Sequence, residues 1–211
     1  MARSVLVTLA ACLLFLAAVP LRGQGQDSGG ATTTPTSSGS TGSSSGSSTG
    51  SSAAPTRSEE ELRRLYTGAW NLTVSHATGQ ATIDRGIERC VTEMNYFVQS
   101  LARSQMHDQT PVNDRIDIAF PDGQISIAFD QRFTYITRPG VAQDFELPDG
   151  TDVTVRQYFR DGHLEQYFEH SLGRRWNVYT LSADGHTMTT RATQQGPMMP
   201  APMTFSLDYR Q

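Results

Sequence analysis

No lysine occurs in the 211 residues, so all 17 basic side chains are arginine. A lysine nucleophile or a Schiff base is thereby excluded. Cysteine is almost as scarce. Cys12 lies in the N-terminal leader and Cys90 stands alone in the rest, so no intramolecular disulfide can form. The net charge is -4 and no basic stripe is present, which argues against a nucleic-acid partner. No G-x-S-x-G, no phosphate-cradling glycine loop and no paired-cysteine pattern occurs. The histidines, His76, His107, His163, His170 and His186, show no H-x-H or H-x-x-x-H spacing. The expectation is a protein without catalysis, cofactor or metal.

Only one apolar run is long, from Val5 to Val19, after Arg3 and before Pro20. It falls short of the roughly 20 residues that span a bilayer and has the layout of a secretory signal peptide, assigned to residues 1–25. Leu9-Ala10-Ala11-Cys12 also fits a bacterial lipobox. Membrane contact is expected only if Cys12 is lipidated. Residues 26–57 are mostly Ser, Gly and Thr, with almost nothing to bury, and read as a flexible coil: a tether or a solubilising leader. Residues 58–211 have the size of one domain. The expectation is an exported bacterial monomer, placed in the periplasm, at the cell surface or outside.

Within the domain, Ser58-Glu59-Glu60-Glu61 reads as a capping box before a short helix. "GAWNLTVSH" reads as a strand. Ile83, Ile87, Cys90, Met94, Phe97 and Leu101 then recur in steps of four and three, the face of one long helix over residues 82–105. Cys90 falls on that stripe and reads as core, Thr82 is a candidate cap, and Gly86 is a mild flaw. From Asp114 onward the period becomes two. Ile116, Ile118 and Phe120 alternate, then Ile125, Ile127 and Phe129, across a Pro121-Asp122-Gly123 turn. Further turns fall at Asp149-Gly150, Asp161-Gly162 and Asp184-Gly185. About ten strands joined by tight turns pair as an antiparallel meander. Closure removes exposed edges, so the expected fold is a mainly-β, up-and-down barrel with one long helix inserted after the first strand.

Gly68-Ala69-Trp70, opening the first strand after a short helix, resembles the G-x-W of the calycins, the lipocalins and fatty-acid-binding proteins. The resemblance implies a ligand-binding barrel in which Gly68 and Trp70 close one end and Arg210 packs across the indole. The strand count, with helical matter after the first strand, is closer to the fatty-acid-binding proteins. One long helix departs from their two short ones. Tyr209 directly before Arg210 departs from their R-x-Y, because adjacent strand residues face opposite ways. Their headgroup site cannot be carried over onto that pair.

A helix of roughly 24 residues is about 36 Å long and can lie over the barrel mouth as a lid or fill the lumen as a plug. The lumen candidates Phe129, Phe133, Tyr135, Val155, Phe159, Leu164, Phe168, Val178, Met188, Phe205 and Leu207 are apolar. Gln157 and Gln166 share faces with them and are placed either to bind a ligand's polar group or to satisfy each other. A small hydrophobic or amphipathic ligand would then touch Met94, Phe97, Phe133, Tyr135, Gln157, Phe159, Gln166 and Phe168. The alternative is an envelope interaction protein with a packed barrel and no ligand.

Overall fold

The computed structural model describes residues 57–147, 150–171 and 173–211. The leader, the lipobox cysteine and most of the Ser/Gly/Thr tract lie outside the described residues. Helix α1 (Glu59–Tyr66) is capped by Ser58, whose Oγ accepts from the Glu61 amide at 3.2 Å. It leads into β1 (Gly68–Leu72). Helices α2 (His76–Val91) and α3 (Tyr96–Gln109) follow, then β2 (Arg115–Ala119), β3 (Ile125–Phe129), β4 (Phe133–Thr137) and β5 (Gln143–Glu146). The chain ends with β6 (Asp152–Arg160), β7 (His163–His170), β8 (Gly173–Leu181), β9 (Thr187–Gln195) and β10 (Met203–Arg210).

All ten strands form one antiparallel sheet in the order β4-β3-β2-β1-β10-β9-β8-β7-β6-β5. The ladder between β1 and β10 joins the first and last strands, pairing Leu72 with Tyr209 and Asn71 with Arg210. The sheet curls into a nearly closed barrel, open where β4 and β5, the two ends of the order, share no ladder. Turn chemistry sets the register. Arg160 pairs with His163, so Asp161-Gly162 is a two-residue loop. Both of its residues have positive φ, 50° and 80°, as the primed turn that matches strand twist requires.

The helical insert differs from the sequence expectation in two ways. It begins earlier, at His76, capped by Ser75 rather than Thr82. It is also two helices rather than one, broken across Thr92–Asn95. Asn95 supplies the reason: its Oδ1 accepts from the Phe97 amide at 3.0 Å and starts a new helix. The apolar steps stay in phase across the break, so periodicity alone conceals it. Beyond the break the stripe leaves the core. Phe97 is 90% exposed and Leu101 46%. Only Met106 of α3 is buried, and an Arg103–Glu88 ion pair ties the helix to α2.

Ahead of the break, Ile83, Ile87, Cys90 and Val91 are buried in the core. Helix α2 packs on β10, where the Arg89 guanidinium donates to the Thr204 carbonyl at 3.1 Å and the Cys90 thiol to the Ala201 carbonyl at 3.4 Å. Gly86 is no flaw there: a Cβ would sit 3.1 Å from the Thr204 oxygen. The other end is sealed by Leu62, Tyr66 and Trp70. The Trp70 indole donates to the Tyr66 carbonyl at 2.8 Å, and the Tyr66 hydroxyl donates to the Tyr179 carbonyl at 2.6 Å. Arg210 does not cover that indole. Its ladder partner is Asn71, on the face opposite to Trp70, and both Arg210 and Asn71 are exposed.

Candidate functional site

The inner face of the wall is polar where β7 and β8 meet. Arg175, Asn177 and Tyr179 are the ladder partners of Phe168, Gln166 and Leu164. Leu164, Gln166, Asn177 and Tyr179 are buried, while Trp176 is 43% exposed. Strand β8 therefore turns Arg175 and Asn177 inward and Trp176 and Val178 toward the outer face, the reverse of what placing Val178 in the lumen assumes. Cross-strand partners decide this: Phe168, Gln166 and Leu164 already face in.

The inward polar groups form a chain. Arg175 Nε donates to Asn177 Oδ1 at 3.0 Å. Asn177 Nδ2 donates to Gln166 Oε1 at 3.3 Å, and the Tyr179 hydroxyl donates to the same oxygen at 2.8 Å. The guanidinium also lies 5.8 Å from the Phe205 ring centroid, within cation–π range. Among the described residues, two buried side-chain polar atoms have no partner, Gln166 Nε2 and Thr190 Oγ1.

Burial pushes the Arg175 guanidinium below its usual range. The groups that oppose this are the phenols of Tyr179, Tyr209 and Tyr135, and no carboxylate is among them. Part of the residue remains accessible, yet the charged end lies deep in the protein. Arginine stays protonated under such conditions, so the inner wall holds a cation that meets Asn177 and the Phe205 ring but no carboxylate among the described residues. The space around it is small. An enclosed cavity of about 10 Å³ is bounded by Ile83, Phe129, Arg175, Asn177, Thr190 and Tyr209, among others. That is room for about one water. Helix α2 reaches it through Ile83, while α3 contributes nothing to its lining.

Burial also raises the tyrosines. Tyr66 is pushed up to about 12, and Tyr135, Tyr179 and Tyr209 move the same way, with Arg175 pulling these three back. A phenol with a raised folded-state value leaves the stability intact below its unfolded value near 10 and removes it as pH climbs to the folded value. For Tyr66 alone, two pH units correspond to about 3 kcal/mol. Unfolding free energy should therefore hold steady from pH 8 to 9.5 and fall by at least about 3 kcal/mol by pH 12, as urea denaturation at stepped pH would show.

The expected ligand residues separate in the structure. Gln166 and Phe168 neighbour Arg175, and Tyr135 packs on Phe168 with ring centroids 5.2 Å apart. Gln157 is buried farther along the wall and bonds to β4. It is the ladder partner of Gln166, yet the two amides turn to different neighbours. Phe159 stacks on Phe120 at 5.7 Å, beside α1 at the sealed end. Phe133 is half-buried at the start of β4, opposite Phe129. Met94 packs on the core from the helix break, whereas Phe97 points to solvent. Arg175, Asn177 and Thr190 escaped the sequence reading. The signal was the alternation in "RRWNVYT", which supports either face until the partner strand is known.

No known protein-family model matches the chain. No curated protein sequence matches it either. Among solved structures, the chain is similar to an abundant heat soluble (SAHS) protein from Ramazzottius varieornatus, at 10% identity, 70% of this chain, 95% of that one and a TM-score of 0.44. It is similar to fatty-acid-binding protein 1 of Echinococcus granulosus at 10% identity, 70% and 98% coverage and a TM-score of 0.44. A Schistosoma mansoni fatty acid binding protein in complex with arachidonic acid gives 13%, 71%, 98% and 0.43.

Proposed function

We propose that the barrel receives a small amphipathic acid without transforming it, the acidic group pairing with Arg175 and the apolar part displacing side chains of the lumen. The observation that supports this is the inward-facing Arg175 guanidinium, which meets Asn177 Oδ1 and the Phe205 ring but no carboxylate among the described residues. Removing a charge from water costs several kcal/mol unless it is paired. An acid on Arg175 would provide the missing partner. Gln166 Nε2 and Thr190 Oγ1 are unpartnered polar atoms of the same interior. The leader-like residues 1–25 and the tract at 26–57 support an exported protein, held at a membrane if Cys12 is lipidated.

A second reading has its own support. The cavity beside Arg175 has only about 10 Å³ free, which suits a packed barrel that serves as an envelope interaction protein. Calorimetric titration of the full chain with octanoate separates the two. Ligand binding gives a saturable one-site isotherm, and a packed barrel gives none.

A further inference from the structure

Both ends of the barrel are closed by apolar packing, yet its side wall is interrupted. Strands β4 and β5 are the two ends of the sheet order and share no ladder. The gap is bridged by a single glutamine. Thr137 Oγ1 donates to Gln157 Oε1 at 3.0 Å, Gln157 Nε2 donates to the Tyr135 carbonyl at 3.4 Å, and the Gly140 amide donates to the Gln157 carbonyl at 2.8 Å. Rings fill the remainder. Tyr135 meets Phe145 of β5 edge-on at 5.2 Å and Phe168 of β7 edge-on at the same distance. Phe168 is the ladder partner of Arg175. The contacts run from Phe145 through Tyr135 and Phe168 to Arg175.

We propose that the β4–β5 seam is the gate to the lumen, with Gln157 as its latch and the Phe145–Tyr135–Phe168 rings as its leaf. The alternatives demand more. Opening the α1 end strips Leu62, Tyr66 and Trp70 from the core, and lifting α2 strips Ile83, Ile87, Cys90 and Val91. Opening the seam breaks no strand ladder. It parts a few hydrogen bonds and swings rings whose edge-to-face contacts tolerate rotation. β5 has only four residues, three of them exposed, and it stays paired with β6, so the opening is against β4, to which Phe145 contributes one ring. The gate rests on the reading of Arg175 as the ligand's partner, but access to the lumen can be measured without a ligand.

The test uses the full chain with Cys12→Ser, Cys90→Ser and Thr190→Cys, which places the only thiol on the cavity wall. The probe is a small anionic methanethiosulfonate reagent. Phe145→Ala, and separately Gln157→Ala, should accelerate labelling at least tenfold, while Phe97→Ala and Leu101→Ala on α3 leave it unchanged. Labelling that responds to the α3 substitutions and ignores both seam substitutions overturns the gate. Since Gln157 is buried and its variant could lose the fold, the exposed-edge variant Phe145→Ala decides if the two differ. With octanoate, seam variants should raise association and dissociation rates together and keep Kd within about twofold. An octanoate titration with no saturation, beside seam-dependent labelling, would reject the ligand and keep the gate.

Discussion

Replacing Arg175 with methionine should yield a barrel that is more stable and no longer holds an acid. The guanidinium has no carboxylate beside it, and Asn177 Oδ1 with the Phe205 ring is modest compensation. Exchanging an unpaired buried charge for an apolar side chain of similar volume removes its desolvation penalty, and comparable exchanges stabilise by about 1–4 kcal/mol. For a domain with total stability of roughly 5–15 kcal/mol, this is a visible rise in the denaturation midpoint. The same change removes a charge-assisted pair with the ligand. Affinity for octanoate should fall about 100-fold, equivalent to about 2.7 kcal/mol. A methionine variant less stable than the parent would mean that the tyrosines and Asn177 already compensate the charge, and the case for an absent anion would fail.

The largest loss of stability is expected at the sealed end. Trp70 is fully buried and its indole N–H is satisfied by the Tyr66 carbonyl. Trp70→Ala should cost about 3–5 kcal/mol, from lost apolar burial and the cavity left behind, with the Tyr66 carbonyl deprived of a donor besides. Arg210→Ala should lie within about 0.5 kcal/mol of the parent, because Arg210 faces solvent beside Asn71. Urea denaturation of both variants checks the contrast. Equal losses would place Arg210 against the indole, contrary to the structure.

The difference between those two residues shows what the sequence could and could not convey. Turn chemistry is local: Asp161-Gly162 must adopt positive φ, so hairpins and strand count follow from it. Closure follows from the length of the meander. The helical insert was legible in its apolar stripe and misleading in its continuity, since Asn95 starts a second helix without disturbing the 4-3-4 steps. The polar centre was hidden for a related reason. In β8 both faces carry one large side chain and one that tolerates either setting, Arg175 with Tyr179 against Trp176 with Val178. Only the ladder to Phe168, Gln166 and Leu164 decides between them. The apolar expectation for lumen residues also worked against a lone arginine, which is rare inside a core unless something pairs with it.

Helix α2 contributes Ile83 to the cavity wall, while Phe97 and Leu101 of α3 look outward.

The most direct measurement is a pair of titrations of the full chain, one with octanoate and one with 1-octanol, which differ at the head and share the tail. If Arg175 is the ligand's partner, the acid binds at least about 100-fold more tightly than the alcohol, and the gap closes in Arg175→Met. Equal affinities for acid and alcohol, or no saturable binding of either, would contradict the account.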